Sequence, residues 1–396
     1  MKDILIKNAC AVTEEGLLDN AFIYLFQGKI QAVSQAMPEI SGTTEIIDAG
    51  GNYVSAGFID LHTHGAGGAD FMDGTVDCWL TAAKAHAQHG TTSLYPTTLT
   101  STNDLLYETF ETFKVAKARN TEGANLLGLH LEGPYFAYEQ RGAQDPRFLR
   151  NPEPEEYEEI LSRTDDIARW SLAPELPGAL ALGKRCREKG ILAAMAHTNA
   201  TFDEAQAAFE AGFTHLTHFY SCMSTVTRRN AYRHAGVVEF GYFEDGATIE
   251  IIADGIHVPA TLLKLLLKIK GSRNIALITD SMRGAGMPEG PSILGSLADG
   301  QEVIIEDGVA KLLDRTAFAG SVATGDRCVR TMVQQAGCSV HDAVMMMTDS
   351  PARIMKIDDR KGYLKKGWDA DVVIFDKDIR IQRTIIGGKT IYTKEN

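Results

Sequence analysis

A chain of 396 residues is long enough for one large fold, or for one large fold and a smaller partner. Its 44% hydrophobic and 23% charged residues, with 37 Gly and 12 Pro, exclude disordered, collagenous and low-complexity scaffolds. The 39 Lys and Arg against 52 Asp and Glu leave a formal charge of −13, a field that repels polyanions and anionic lipid, so neither nucleic acid nor a membrane is an expected partner.

In chain order, the first ~50 residues read as short strands and turns, with apolar runs at 4–6, 21–25, 30–33 and 45–47 and a turn at Gln27-Gly28-Lys29. The charges of Lys2, Asp3 and Lys7 break the apolar stretch that a signal peptide needs, and no later run reaches the roughly 18 apolar residues of a membrane span, so a cytoplasmic location is expected. From residue 54 the pattern changes. Eight β-branched or apolar runs, at 57–61, 93–95, 126–129, 168–172, 191–196, 215–217, 248–252 and 275–278, alternate with helical stretches such as 77–89, 104–118, 153–161, 202–211 and 260–269. Eight strand–helix units predict an α/β fold of the (β/α)₈ TIM-like type, better than an open doubly wound sheet. Residues 302–313 read as a hairpin, because Asp307-Gly308 favours a type I′ turn. The last ~35 residues return to short strands at 371–375, 379–381, 384–386 and 390–392. The expected division is therefore a small β domain from residues 1–53 and 357–396, and a catalytic barrel over 54–356. Cys10, Cys78, Cys186, Cys222, Cys328 and Cys338 lack C-x-x-C spacing and read as reduced thiols.

Active sites of such barrels sit at the C-terminal ends of the strands, and here those ends are loaded. The first run closes on His62 and His64, the third on His130 and Glu132, the fifth on His197, the sixth on His218, the seventh on Asp254 and His257, and the eighth on Asp280. His62 and His64, two apart, point to one side of an extended strand and can clamp one ion, although a lone pair of this kind is weak evidence. Glu132 ranks above His130 as a ligand, since alternation is lost where a strand ends. Imidazoles with one carboxylate suit Zn²⁺, Fe²⁺ or Mn²⁺ better than Ca²⁺ or Mg²⁺. Asp280 ends an apolar run, where an uncompensated charge is costly; beside a metal it can take a proton from water and pass it to a leaving group, the alternative being a capping role. His257 can polarise a carbonyl. His86 and His89 read as a surface or packing pair, His215, His234 and His341 as ordinary residues, and Cys222 as a buried thiol or a pocket position.

These residues resemble a known family. Gly57-Phe58-Ile59-Asp60-Leu61-His62-Thr63-His64-Gly65, with Asp369-Ala370-Asp371-Val372-Val373, resembles the amidohydrolase superfamily of metal-dependent barrels carrying a small β-sandwich. Gly128-Leu129-His130-Leu131-Glu132-Gly133-Pro134, Leu172-Ala173-Pro174-Glu175, Ala196-His197-Thr198-Asn199, Thr217-His218-Phe219-Tyr220 and Ala253-Asp254-Gly255-Ile256-His257 are similar to the N-acetylglucosamine-6-phosphate deacetylase family, in order over nearly the whole chain. That resemblance implies hydrolysis of the acetamido group of a phosphorylated amino sugar. It implies a main metal site at Glu132, His197 and His218, and a second at His62 and His64, holding one or two ions of Zn²⁺ or Fe²⁺. It makes Asp280 the acid/base and His257 the residue on the substrate carbonyl, and implies a homodimer. Substrate-binding segments are implied at Asp254, Gly255 and Ile256 and at Phe318, Ala319 and Gly320, with Arg229 on the phosphate, often donated by a neighbouring subunit.

Two places depart from the family. After His218 and an aromatic it usually reads Asn, Ala, Met, whereas this chain has Ser221-Cys222-Met223; its Thr-His or Ala-His pair is here Ala143-Gln144. Both places touch the sugar phosphate in the family, so the preferred sugar, gluco or galacto, stays open. A phosphotriesterase or dihydroorotase relative would carry a metal-bridging lysine where Ala173-Pro174-Glu175 stands, and a nucleoside deaminase fits the Glu132 position less well. A catalytically silent scaffold would have lost ligands or the acid/base, and both are present.

Overall fold

The computed structural model describes residues 2–395, with the backbone alone at Arg229. Six strands, Leu129–Glu132, Ile167–Leu172, Leu192–Met195, Phe213–Leu216, Thr248–Ile252 and Ile275–Ile278, pair in parallel and in chain order. Phe58–Thr63, Thr91–Pro96 and Asn125–Leu126 form a second parallel set. At the C-terminal ends of the strands the sets are joined by backbone hydrogen bonds: Thr98 N–H donates to the His130 carbonyl (3.0 Å), and Asp280 N–H to the His62 carbonyl (2.9 Å). The result is a curled parallel sheet with those strand ends along one rim. Ile275–Ile278 and Phe58–Thr63 are buried at every position, as strands covered on both faces must be; the first therefore reads as an unbroken apolar run, while the second also buries Asp60, His62 and Thr63.

The run expected at 126–129 is two strands, Asn125–Leu126 and Leu129–Glu132. Gly128 lies between them, where a Cβ would come within 2.8 Å of the Ala168 Cβ, so the chain passes its neighbour too closely to continue the ladder. Helices fall where their apolar spacing and caps put them. Thr75 and Thr102 cap Val76–Gln88 and Asn103–Arg119, and Thr201 with Glu204 forms a capping box on Phe202–Ala211. Helices Ala179–Glu188, Val237–Phe243, Gly325–Gln334, Val340–Met345 and Asp349–Ile354 come in addition to those expected.

The β-rich termini combine in one eight-stranded mixed sheet. Tyr53–Ala56 and Ile4–Thr13 occupy its middle, and the C-terminal strands Val372–Phe375, Ile381–Ile386 and Lys389–Thr393 extend one side. The separate strands expected at 379–381 and 384–386 are one strand. Residue 379 belongs instead to a turn: the Asp376 carboxylate accepts the Asp378 and Arg380 N–H groups, and Ile379 takes φ 59°. The hairpin of Gln301–Glu306 and Val309–Leu312 is present, with Asp307 (φ 55°) and Gly308 (φ 72°) in its turn, and gains a third antiparallel strand, Gly290–Leu294. All six cysteines are free thiols. Among the described residues no helix is long and apolar enough to cross a membrane.

Candidate active site

The rim gathers the expected polar residues from six strand ends. His197, His218 and Asp280 each sit just past a strand in the left-handed region (φ 44°, 31° and 46°), which turns the side chain off the strand direction and into the cleft. Non-glycine residues hold that conformation at a cost of order 1 kcal/mol, and such residues concentrate at functional sites. Ser321 braces the loop after Asp280: its N–H donates to the Asp280 carbonyl (2.7 Å) and its hydroxyl to the Thr279 carbonyl (2.5 Å).

Glu132 is the centre. Its Oε1 lies 3.1 Å from His218 Nε2 and 3.4 Å from both His197 Nε2 and His62 Nε2, while Oε2 lies 3.5 Å from His64 Nε2. The two Nε2 atoms of His197 and His218 are 3.1 Å apart. Donors held 2.0–2.1 Å from a tetrahedral Zn²⁺ stand about 3.3 Å from one another, so the observed edges are those of a metal site. Two donor groups could each hold an ion, Glu132 with His197 and His218, and Glu132 with His62 and His64. The tautomers fit as well. His197 Nδ1–H donates to the Gln140 carbonyl (2.7 Å) and His62 Nδ1–H to Glu250 (2.8 Å), turning both Nε2 atoms inward; His62 Nε2 is buried with no hydrogen-bond partner.

Burial opposes charge on Glu132, yet His62, followed by His197 and His218, outweighs it and holds the carboxyl well below the usual range. Asp280 is likewise lowered against burial by His62 and His64, with His64 Nε2 at 3.2 Å. Burial would depress His62, but the Asp280 and Glu132 carboxylates push it up to about 10. The two carboxylates thus require positive charge among them, which imidazolium or a divalent cation supplies.

A layer beneath fixes these groups. Glu250, fully buried, accepts from His62 Nδ1, the His218 backbone N–H (3.2 Å), His215 Nε2 (3.1 Å) and Arg169 Nη1 (2.5 Å). His130, the competing candidate at that strand end, bonds Thr97 Oγ1 (3.0 Å) and Ser171 Oγ (2.7 Å) and lies below the ligand cluster. Glu175 takes Thr198 Oγ1 (2.5 Å) and the Asn199 N–H (2.6 Å), fixing the loop after His197. On the far wall, Asp254 accepts His257 Nδ1–H (2.7 Å) and two backbone N–H groups, and the Phe318 ring lies 4.5 Å from the imidazole.

Glu132, His64, His197, His218, His257 and Asp280 line one cleft, with Ala143, Gln144, Ser221, Cys222, Phe318 and Gly320 of the expected substrate residues. Asp254, Gly255, Ile256 and Ala319 are not among the residues that line it; Asp254 reaches it through its hydrogen bond to His257. Arg229 ends the short strand Thr227–Arg229 of a hairpin with Tyr232–His234, and its side chain lies outside the described residues. Sequence reasoning missed Glu250 and Arg169. Their signal was a charge inside an apolar run, Thr248-Ile249-Glu250-Ile251-Ile252 and Ala168-Arg169-Trp170.

The model of the amidohydrolase family matches residues 53–391. N-acetylglucosamine-6-phosphate deacetylase of Bacillus subtilis (strain 168) is 32% identical, over 99% of this chain and 98% of that protein. N-acetylgalactosamine-6-phosphate deacetylase of Escherichia coli O157:H7 is also 32% identical, over 96% of each. A solved structure of a mutant N-acetyl-D-glucosamine-6-phosphate deacetylase from Mycobacterium smegmatis, in complex with N-acetyl-D-glucosamine-6-phosphate, aligns at a TM-score of 0.90 and 28% identity, over 99% of this chain and all of that one.

Proposed function

The chain belongs to the amidohydrolase family, and from that premise we propose that it hydrolyses the acetamido group of a phosphorylated amino sugar, converting N-acetylglucosamine-6-phosphate to glucosamine-6-phosphate and acetate. The observation that carries this reading is the convergence of Glu132, His197 and His218 within ligand distance of one another, with Asp280 and His257 in the same cleft.

Glu132, His197 and His218 would hold a divalent transition metal, Zn²⁺ or Fe²⁺, and His62 and His64 with Glu132 a second one. When bound, the metal supplies Lewis acidity, which acidifies water and polarises the amide carbonyl. Asp280, kept ionised by His62 and His64, accepts the proton of the attacking water as its oxygen adds to the acetyl carbon. His257 commits its Nδ1–H to Asp254, so it donates from Nε2 to the carbonyl oxygen as the imidazolium, whose charge the Asp254 carboxylate balances, while negative charge develops there. Asp280 then returns its proton to the amide nitrogen as the C–N bond breaks, because an unprotonated amide nitrogen is a poor leaving group; acetate and a free amine result. Leu99, Ile252, Leu294 and Phe318 supply the apolar part of the cleft and limit bulk water around these transfers.

The wider reading follows from the same residues. The two parallel sets close into a (β/α)₈ barrel over residues 54–356, and residues 1–53 and 357–396 wrap their own apolar core, including Ile4, Ile6, Ile23 and Val372, as a small β-sandwich domain. Arg229, on the hairpin Thr227–His234, contacts the sugar phosphate from a neighbouring copy in a cytoplasmic homodimer. Because Ser221 and Cys222 line the cleft where the family pattern differs, N-acetylgalactosamine-6-phosphate is the alternative substrate.

The test is acetate release by metal-loaded protein from the 6-phosphates of N-acetylglucosamine and N-acetylgalactosamine and from the two unphosphorylated sugars. Release from a 6-phosphate at least tenfold faster than from its parent sugar is expected. No acetate from any of the four would overturn the assignment.

A further inference from the structure

Gln144 lines the cleft where a substrate contact is expected, yet both ends of its amide are engaged within the protein. Its Oε1 accepts the Thr100 backbone N–H (2.9 Å), which fixes the orientation of the amide, and its Nε2 donates to Glu132 Oε2 (2.7 Å). The side chain is buried (5% exposed), and the backbone carrying it is held from two sides. Gln144 N–H donates to the Arg141 carbonyl (2.9 Å), and the Ala143 carbonyl accepts Gln301 Nε2 (2.7 Å) from the strand Gln301–Glu306.

We infer that Gln144 is a positioning residue for the Glu132 carboxylate, setting which carboxylate oxygen faces the His197–His218 pair, and that it acts through Glu132 rather than on the sugar. The inference rests on the metal-binding reading of Glu132. With Oε2 tied to the amide, Oε1 is the oxygen presented to His218 and His197, while Oε2 is shared between Gln144 and the His64 side. A primary amide donates at any working pH, so this restraint does not titrate. Groups that orient a metal ligand typically alter metal affinity 10- to 100-fold when removed.

The experiment titrates Zn²⁺ alone into metal-stripped protein against a chromophoric chelator, and separately measures kcat and KM for N-acetylglucosamine-6-phosphate at saturating Zn²⁺. Gln144→Leu keeps the volume and loses the donor; it is expected to bind Zn²⁺ at least tenfold more weakly with KM within about twofold of the parent. Gln144→His, whose ring N–H can donate again, is expected to recover part of the loss. Unchanged Zn²⁺ affinity with a tenfold rise in KM would overturn the inference and make Gln144 a substrate contact. Should Gln144→Leu not fold, Gln144→Met reads the same two quantities. Failure of the parent protein itself to bind Zn²⁺ would contradict the metal-site reading instead, so the two failures are distinguishable.

Discussion

In the proposed reaction Asp280 takes a proton and then gives it back, and its surroundings suit that role. Burial favours the neutral acid, His62 and His64 favour the anion, and the balance leaves a carboxylate beside the place where water must be activated. Asn at this position keeps the shape and cannot carry the proton. Asp280→Asn is therefore expected to lower kcat about 10²- to 10⁴-fold while KM stays within a few-fold; an unchanged kcat in steady-state assays would remove Asp280 from the chemistry. The residues proposed for the reaction, which the structure gathers in one cleft, were visible in the sequence because they end apolar runs, where a charge needs a reason to be. Their supports were less so. Glu250 and Arg169 are each a charge within an apolar run, a signal the sequence reading passed over, and as ion-pair partners they lie 81 positions apart, so their pairing becomes visible only when the sheet brings the two strands together. Asp254 was read as a substrate contact because its segment matched a family motif, and spacing alone could not show that its carboxylate is occupied by His257.

Elements set how firmly the rim is held. The helix Val76–Gln88 is fastened to the strand bearing His62 by His86, whose Nε2 hydrogen-bonds Thr63 Oγ1 (2.9 Å). Burial, followed by the charge of His89, pushes the pKa of His86 down to about 3. An unfolded imidazole titrates near 6.5, so between those values the unfolded chain takes up a proton that the folded chain refuses. The stability linked to this group is whole above pH ~6.5 and is lost as pH falls toward 3, at about 1.4 kcal/mol per pH unit. In urea unfolding between pH 6 and 4, His86→Gln, which retains a hydrogen-bonding side chain, is expected to decline less steeply than the parent by about 1 kcal/mol per pH unit; identical slopes would contradict the burial argument. The expectation of a packing histidine here came from its place on an amphipathic helix, and the strand contact adds what it packs against. Where elements were misjudged, the cause is local. The split at Gly128 reflects a close approach that no periodicity shows, and Ala179–Glu188 starts behind Gly178 (φ 88°) with no side-chain cap to announce it.

At the scale of the whole molecule, a formal charge of −13 must coexist with an anionic substrate. Long-range steering works against capture, so on the proposed function attraction has to be local, from a cation that Glu132, His197 and His218 could hold. The chain order of strands and the pairing of both termini into one sheet were legible because apolar runs recur and the two ends share a composition of short strands. How the two parallel sets meet was not, since it depends on single backbone bonds such as those joining Asp280 to His62 and Thr98 to His130. The central claim is spatial: six strand ends bring their imidazoles and acids to one cleft, where Glu132, His197 and His218 would share a cation. Anomalous X-ray scattering from crystals of purified protein, recorded at the absorption edge of the metal it carries, tests this directly. The account predicts a peak within ligand distance of Glu132, His197 and His218, with Asp280 facing it; a peak elsewhere, or none in protein that releases acetate, would contradict it.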